Sequence, residues 1–136
     1  MNKPKMVPFV LHRHEAKRAG LHYDLRIKYP NKKLLASWAI PSAKIPQNNQ
    51  EKVLAVQTPD HGKYWLYFEG DIPDGEYGAG SIKIIQKGNV EILGWSSNHI
   101  TFRASGDPLN GKYTLIKFSP KKSENENTWL LIKSKD

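Results

Sequence analysis

The 136-residue sequence contains no cysteine, and no apolar run approaches the length of about 18 residues that a membrane-spanning helix needs. Without cysteine the chain can form neither disulfides nor zinc–thiolate sites, which excludes a secreted, disulfide-stabilised scaffold. The opening residues Met1-Asn2-Lys3-Pro4-Lys5 lack the apolar core of a signal peptide. We therefore expect a soluble, cytoplasmic protein that makes no membrane contact.

Acidic residues are outnumbered by basic ones, with 13 Asp and Glu against 21 Lys and Arg and a formal net charge of +8. The basic residues are spread along the chain, with clusters at Lys17-Arg18, Lys32-Lys33 and Lys121-Lys122. An excess of this kind favours an anionic partner, most often nucleic acid. The length and the 38% hydrophobic content suit a single domain with its own core, so we expect one domain over residues 1–136 with residues 1–6 as a flexible N-terminus.

Long helical periods are also absent, and the apolar pattern consists of short alternating runs separated by turn residues. Turn residues at Pro30-Asn31-Lys32, Lys87-Gly88-Asn89 and Asn110-Gly111 predict hairpins. About ten short strands of this kind indicate an all-β fold, a small closed or partly open β-barrel with short helical turns. The strands are expected at Val7–Leu11, His22–Tyr29, Leu34–Ile40, Val53–Gln57, Tyr64–Glu69, Ser81–Gln86, Asn89–Leu93, His99–Ala104, Tyr113–Phe118 and Trp129–Lys133. A helix or turn is expected at His14–Ala19, ended by Gly20.

The strand His22–Tyr29 alternates between polar and apolar residues without interruption. Its polar face carries His22, Asp24 and Arg26 in a row, about 6.5–7 Å apart along the backbone. A neutral imidazole and a carboxylate can share a divalent metal, and a guanidinium beside them can hold a phosphate oxygen. One strand therefore offers a pair of metal ligands and an anion clamp, although a merely solvated polar face gives the same pattern.

The other histidines supply further candidates for this site. His12 and His14 share one face if the chain before them is extended, and either can approach His22 and Asp24 when the chain doubles back. Without thiolates, such a set favours an open catalytic metal site over a structural zinc site. His61 follows a predicted strand, where it can donate to a phosphate oxygen or act as a general acid.

Two further features carry less information. The glycine-rich segment Asp71–Gly80 can present backbone N–H groups to a phosphate, but it lacks the GxxxxGK[ST] pattern and opens no helix, so it is no Walker A motif. The 4 Trp and 6 Tyr include candidate base-stacking residues, although most aromatic residues of a β-rich chain belong to its core.

In this order, the motifs of the first two thirds resemble the 3′-phosphoesterase domain of bacterial DNA ligase D, a domain that also occurs as a stand-alone protein. The combination of the HYDxR element with the FEGxIPxGxYGxG element is the specific part of this resemblance. The matching segments are Phe9–His14, Leu21–Arg26, Ser37–Pro41, Leu54–Gln57, Asp60-His61 and Phe68–Gly80.

The resemblance implies a small β-barrel with a metal site on its outer, concave surface. It implies a Mn²⁺-dependent enzyme that removes a terminal ribonucleoside and then the remaining 3′-phosphate from a primer strand, in the repair of DNA ends by end joining. By position, His14, His22 and Asp24 would bind the metal. Arg26 and His61 would bind the phosphate, with His61 a candidate proton donor. A DNA ligase or polymerase acting in trans is an implied partner.

Some positions depart from the family pattern. His14 and His22 are eight residues apart, two more than the family spacing, so His12 is the competing ligand if the intervening turn displaces His14. Trp65 stands where many members have Tyr, and Ser42 where many have Lys. Both changes affect phosphate contacts, and with them the balance between the diesterase and monoesterase steps.

Two other functions fit parts of the sequence. A facial-triad Fe(II) oxygenase would use His22, Asp24 and His61 as ligands. A non-catalytic β-barrel module would bind nucleic acid through basic and aromatic residues alone. The high net charge and the position of Arg26 favour a phosphate substrate over both.

Overall fold

The computed structural model describes residues 5–118 and 127–135, which form β-strands, turns and one short 3₁₀ helix. The strands are β1 (Lys5–Ala16), β2 (Gly20–Lys28), β3 (Leu34–Ile40), β4 (Lys52–Gly62), β5 (Gly70–Ile72), β6 (Gly80–Trp95), β7 (His99–Ala104), β8 (Gly111–Lys117) and β9 (Thr128–Lys133). The 3₁₀ helix, Lys63–Leu66, lies between β4 and β5. Within the described ranges, a helix with the length and hydropathy to cross a membrane is not found.

The strands pair antiparallel in the order β1-β2-β3-β4-β9-β8-β7-β6, and the ring closes where β6 pairs with β1. The remaining strand, β5, adds to the start of β6 outside the ring. The expectation of an all-β, partly open barrel is therefore confirmed.

The inside of the ring holds the hydrophobic core, because alternate residues of each strand point inward. On β1 and β2 these are residues such as Leu11, Leu25 and Ile27, all fully buried. On β3 and β9, the rings of Trp38 and Trp129 meet edge to face with centroids 5.5 Å apart. Each such side chain contributes about 1.5–3 kcal/mol by leaving water, so this core accounts for much of the stability of the barrel.

A second, smaller apolar cluster lies on the outer face of the sheet. It consists of Val10, Leu35 and Leu66, with Trp65 packed against it. Because Trp65 and Leu66 belong to the 3₁₀ helix, this cluster anchors the helix against the outside of β1 and β3. The residues of β1 and β2 that point outward beside it are therefore partly covered.

Two predictions near the N-terminus differ from the structure in their bounds. β1 begins at Lys5, so the last two residues of the segment expected to be flexible lie in a strand, and residues 1–4 lie outside the described range. The helix or turn expected at His14–Ala19 is a turn, and it is shorter than expected: the strand continues to Ala16, and the turn Lys17–Ala19 ends at Gly20. The reason is that β1 pairs along its length with both β2 and β6, which holds it extended.

Two further predictions fail in the middle of the chain. The hairpin expected at Lys87-Gly88-Asn89 is part of the continuous strand β6, where Gly88 lies opposite Phe9. A Cβ at Gly88 would make only an ordinary contact with the Phe9 ring, at 3.7 Å, so this glycine is a residue of a paired strand and not of a turn. The strand expected at Tyr64–Glu69 is the 3₁₀ helix and the chain that follows it.

Candidate metal centre and phosphate clamp

The residues that point outward from β1 and β2 form one polar cluster. The register of the two strands places His14 opposite His22 and His12 opposite Asp24. Because these residues alternate with core residues, all of them project from the outer face. Every buried polar or charged side chain among the described residues belongs to this cluster, namely His12, His14, Asp24, Arg26 and Ser37. Burying several polar side chains together is unfavourable unless they satisfy one another or a ligand.

Three of these side chains can hold one metal ion. His14, His22 and Asp24 each offer a ligand atom, and these atoms lie within 4.8 Å of one another. Nδ1 of His14 is 3.1 Å from Oδ2 of Asp24, and Nε2 of His22 is 3.3 Å from Oδ1 of the same carboxylate. Ligand atoms around a single transition-metal ion lie about 3–4.4 Å apart, so the cluster has nearly the required size.

The hydrogen bonds of the two imidazoles fit a cation between them. Nε2 of His14 donates to the carbonyl oxygen of Gly78 at 2.8 Å, and Nδ1 of His22 donates to that of Gly20 at 3.2 Å. Because a carbonyl oxygen only accepts, each ring carries a proton on the nitrogen that faces it. The other nitrogen of each ring faces Asp24, where it either carries a proton that it donates to the carboxylate or, without that proton, offers a lone pair to a cation shared with Asp24. Backbone carbonyls commonly orient metal-binding histidines in this way.

The charges and hydrogen bonds around Asp24 keep its carboxylate ionised, which is the form that binds a cation. Burial alone would raise the pKa of Asp24, but hydrogen bonds from His14 and His22 and the charge of Arg26 hold it well below its usual value. The hydrogen bond to Asp24 raises the pKa of His22, against the opposing effect of burial. A proton and a metal ion thus compete for the same position beside Asp24, and metal binding should weaken at low pH.

Arg26 lies next to the metal-ligand cluster and is itself buried. Its Nη2 donates to Oδ2 of Asp24 at 3.5 Å, and its Nη1 donates to the hydroxyl of Ser37 at 2.5 Å. Its guanidinium carbon lies 5.1 Å from the centre of the Trp65 ring, within the range of a cation–π contact. Burial lowers the pKa of Arg26 while the Asp24 carboxylate raises it, and the guanidinium remains a fixed cation at neutral pH.

His12 holds Arg26 in place. Its Nε2 donates to the carbonyl oxygen of Phe68 at 3.0 Å, so its Nδ1 accepts from Nε of Arg26 at 3.3 Å. Burial, assisted by the positive charge of Arg26, lowers the pKa of His12 to about 4. The imidazole is therefore neutral at physiological pH, as acceptance from a guanidinium requires. His14, rather than His12, lies with His22 and Asp24. This arrangement favours His14 over His12 in the choice of metal ligand that the sequence left open.

His61 lies on the side of the cluster where Arg26 is. Both nitrogens of its ring are 3.3–3.4 Å from Nη1 of Arg26. Burial and the nearby guanidinium lower the pKa of His61, so it is neutral in the folded protein without a bound anion. The Trp65 ring packs edge to face against it with centroids 5.3 Å apart. Trp65 thus forms a wall behind both phosphate-binding candidates, without the hydroxyl that a tyrosine would supply.

These side chains lie in a cleft of about 800 Å³. The turn Lys17–Ala19 and the glycine-rich segment Asp74–Ala79 line it beside the metal ligands, and His61 and Trp65 line it beside Arg26. The cleft is large enough for a nucleotide-sized ligand, because pockets for such ligands measure about 300–1,000 Å³.

The structure thus brings together all five candidates named from the sequence, His14, His22, Asp24, Arg26 and His61. It adds partners that the sequence analysis missed: the hydroxyl of Ser37 and the carbonyls of Gly20, Phe68 and Gly78. Ser37 was accessible to sequence reasoning, because pairing of β2 with β3 places it directly opposite Arg26. The carbonyls of Phe68 and Gly78 were not, since they depend on the path of loops distant in the chain, and that of Gly20 depends on the conformation of the turn before β2.

An all-β ring that carries a His/His/Asp donor set and a buried guanidinium on its outer face defines a class, a β-barrel with a metal-compatible site on its outer surface. The chain matches the family described as "DNA Ligase D 3′-phosphoesterase domain" over residues 12–117. This match covers most of the chain, which therefore belongs to that family.

Similar proteins include multifunctional end-joining proteins. The chain is 33% identical over 136 residues to the "Multifunctional non-homologous end joining protein LigD" of Pseudomonas aeruginosa, covering 96% of this chain and 15% of that protein. It is 34% identical to the protein of the same name from Mycolicibacterium smegmatis, covering 98% of this chain and 18% of that protein. The chain thus spans less than a fifth of the length of these relatives.

Proposed function

We propose that this protein is a divalent-metal-dependent 3′-phosphoesterase that processes the 3′ ends of nucleic-acid strands during the repair of DNA breaks. The observation that carries the proposal is the contact between the two halves of the site. Asp24, the shared carboxylate of the His14/His22 cluster, lies 3.5 Å from Nη2 of Arg26. A phosphate oxygen bound in the cleft beside both residues would meet the metal site on one side and the guanidinium on the other.

His14, His22 and Asp24 would hold the ion, and their mixed nitrogen and oxygen donors suit Mn²⁺ as well as Zn²⁺ or Fe²⁺. We favour Mn²⁺ because the family resemblance implies it. When bound, the ion supplies positive charge that polarises the phosphate ester. The carbonyls of Gly78 and Gly20 keep both imidazoles oriented with a lone pair toward that position.

Arg26 and His61 would bind the reacting phosphate. Ser37 and His12 hold the guanidinium so that its position does not depend on the substrate, which is the arrangement that stabilises charge developing on a phosphoryl group. The phosphate would bring negative charge beside the neutral His61 ring and raise its pKa. Substrate binding thus prepares His61 to donate a proton to the leaving oxygen.

The substrates we propose are strands that end in a single ribonucleotide or in a 3′-phosphate. Removal of the ribonucleoside would leave a 3′-phosphate, and removal of that phosphate would leave a 3′-hydroxyl for a polymerase or ligase to extend or seal. The net charge of +8 supports a nucleic-acid substrate, and the names of the relatives, which are end-joining proteins, support these partners. Such work takes place inside the cell, in the cytoplasm where bacterial DNA lies.

The test uses the purified protein and a 5′-labelled primer-template that ends in one ribonucleotide or in a 3′-phosphate, with Mn²⁺ or with EDTA. We expect Mn²⁺-dependent shortening of the first substrate and dephosphorylation of the second. Asp24→Asn and His22→Ala should lower both rates by at least a hundredfold. His99→Ala removes an exposed imidazole on β7 and serves as the matched control.

Near-normal Mn²⁺-dependent rates in Asp24→Asn or His22→Ala would refute this assignment. Equal binding of the primer in EDTA and Mn²⁺, with no turnover of either substrate, would indicate a non-catalytic binding module. Turnover of 2-oxoglutarate with Fe²⁺ would indicate an oxygenase instead. Circular dichroism of each variant separates a loss of chemistry from a loss of fold.

A further inference from the structure

The side chain of Thr58 carries a buried hydroxyl that has no partner in the described part of the chain. Among the residues the structure describes, two buried side-chain polar atoms lack a hydrogen bond, Nε1 of Trp38 and Oγ1 of Thr58. Trp38 lies in the barrel core. Thr58 instead lines the cleft, together with Arg26 and His61. A buried polar group without a partner is unfavourable in a folded protein, so an unpaired hydroxyl in the wall of a cleft indicates a ligand that pairs with it.

The register of the sheet places Thr58 in the row that holds the guanidinium. Arg26 of β2 lies opposite Ser37 of β3, and Ser37 lies opposite Thr58 of β4. Side chains directly opposite each other on neighbouring strands project from the same face, with Cβ atoms about 4.5–5.5 Å apart. The outer face therefore presents a guanidinium and two hydroxyls side by side across three strands.

The two hydroxyls of this row differ in what they are free to do. Ser37 is fully buried, and its hydroxyl already accepts from Nη1 of Arg26. Thr58 is only partly buried as a residue, and its hydroxyl has no hydrogen bond to lose. Rotation about the Cα–Cβ bond to another staggered position can therefore turn this hydroxyl toward the cleft without breaking a hydrogen bond. Because a hydroxyl donates as well as accepts, it can then bind a phosphate oxygen beside Arg26.

Trp65 gives this contact a particular importance in this chain. Many members of the family carry a tyrosine at this position, whereas Trp65 presents a ring without a hydroxyl. Its indole packs against His61 and lies over the guanidinium of Arg26, so it covers this wall of the cleft with apolar surface. A phosphate bound there lacks one neutral donor unless another side chain supplies it. Thr58 lines the same cleft and has such a donor unused.

We propose that the Thr58 hydroxyl donates a hydrogen bond to the reacting 3′-phosphate, in place of the hydroxyl that Trp65 does not offer. The inference rests on the proposed phosphoesterase function and names a further phosphate contact for that site. Arg26 and His61 keep their roles, and Thr58 adds a neutral donor beside them. Because a hydrogen bond to a charged group is stronger than one between neutral groups, its loss should be measurable in binding.

The test measures binding by fluorescence anisotropy in EDTA, where the metal-dependent reaction does not occur. The probes are two 5′-labelled primer-templates of the same sequence, one with a 3′-phosphate on the primer and the other with a 3′-hydroxyl. Thr58→Val replaces the hydroxyl with a methyl group of nearly the same size, and should weaken binding of the 3′-phosphate end about tenfold. Binding of the 3′-hydroxyl end should not change. Thr58→Ser keeps a hydroxyl and should bind both ends as the wild type does.

Thr114→Val is the matched control, because it removes a threonine hydroxyl on β8, outside the cleft lining, and should leave both affinities unchanged. Urea unfolding supplies an independent readout. If the hydroxyl is unpaired without substrate, Thr58→Val should be at least as stable as the wild type, whereas loss of a structural hydrogen bond would make it less stable.

Equal affinity of the wild type and Thr58→Val for the 3′-phosphate end would overturn the inference. So would an equal loss of affinity for both ends, or a clear destabilisation of Thr58→Val in urea.

The same preparations separate this inference from the function on which it rests. Mn²⁺-dependent dephosphorylation by the wild type, with no loss of 3′-phosphate affinity in Thr58→Val, leaves the proposed function standing and rejects the Thr58 contact. A selective loss of 3′-phosphate affinity in Thr58→Val, with no turnover by the wild type, supports the contact and rejects the proposed function.

Discussion

The buried imidazole of His12 leads to a specific prediction about stability and pH. In the unfolded chain a histidine titrates near 6.5, whereas in the folded protein the pKa of His12 lies at about 4. Between these values the unfolded chain binds more protons than the folded protein, so lowering the pH destabilises the fold. The difference of about 2.5 pH units corresponds to about 3 kcal/mol when the pH has fallen below 4, and to about 2 kcal/mol at pH 5.

The perturbation is His12→Gln. The glutamine amide offers a donor for the Phe68 carbonyl and an acceptor for Nε of Arg26, but it cannot be protonated in this range. Free energies of unfolding measured with urea at pH 7.5 and pH 5, in EDTA, should fall by about 2 kcal/mol more for the wild type than for the variant. The titrations of Asp24 and His22 occur in both proteins and cancel in this comparison.

His99→Gln is the matched control, because it removes an exposed histidine on another strand and should retain the pH dependence of the wild type. An equal loss of stability in wild type and His12→Gln would refute the reasoning. It would mean that the folded protein protonates His12 as readily as the unfolded chain, and that the hydrogen bond from Arg26 to this imidazole does not form in solution.

Two further changes test the clamp and the packing around it. Arg26→Lys keeps a positive charge but loses the hydrogen bond to His12 and the planar fork of the guanidinium. Dephosphorylation should therefore slow by at least a hundredfold in a phosphate-release assay. A loss below fivefold would contradict a positioned guanidinium. Gly80→Ala should destabilise the protein by about 3 kcal/mol or more and lower the melting temperature by roughly 10 °C, because its Cβ would lie 2.1 Å from the Glu15 carbonyl oxygen. Gly62→Ala, where a Cβ would meet nothing within 4 Å, is the control, and equal melting temperatures for the two variants would contradict this close packing.

The site was more accessible to sequence reasoning than the connections around it. The unbroken alternation of His22–Tyr29 fixed which residues of β2 face outward, because a one-residue change of register would expose Leu25 and Ile27. The same logic placed His12 and His14 on one face of β1. Alternation could not show which of the two histidines holds Arg26 and which lies in the metal-ligand cluster. That depends on whether each ring meets Phe68 or Gly78, residues more than fifty positions away.

The failed predictions share a physical cause. Strand pairing and side-chain packing overrode the local conformational preferences of these segments. Gly88 has the conformational freedom of a turn residue, but β6 is held straight through it by its ladder with β1. Tyr64–Glu69 has the composition of a strand, but Trp65 and Leu66 pack together on the outer cluster as the 3₁₀ helix allows. A short apolar run does not distinguish these outcomes from its sequence alone.

The two strands that carry the polar cluster have a consequence for protein engineering. Their odd-numbered positions face the barrel interior and their even-numbered positions carry the polar cluster, so substitutions in these strands affect either the fold or the chemistry. A library that randomises the hairpin at residues 17–19 and the segment at residues 73–77 can therefore explore new specificities, provided that β1 and β2 are left intact. We expect substitutions to be tolerated at residues 17–19 and 73–77 and not in β1 and β2.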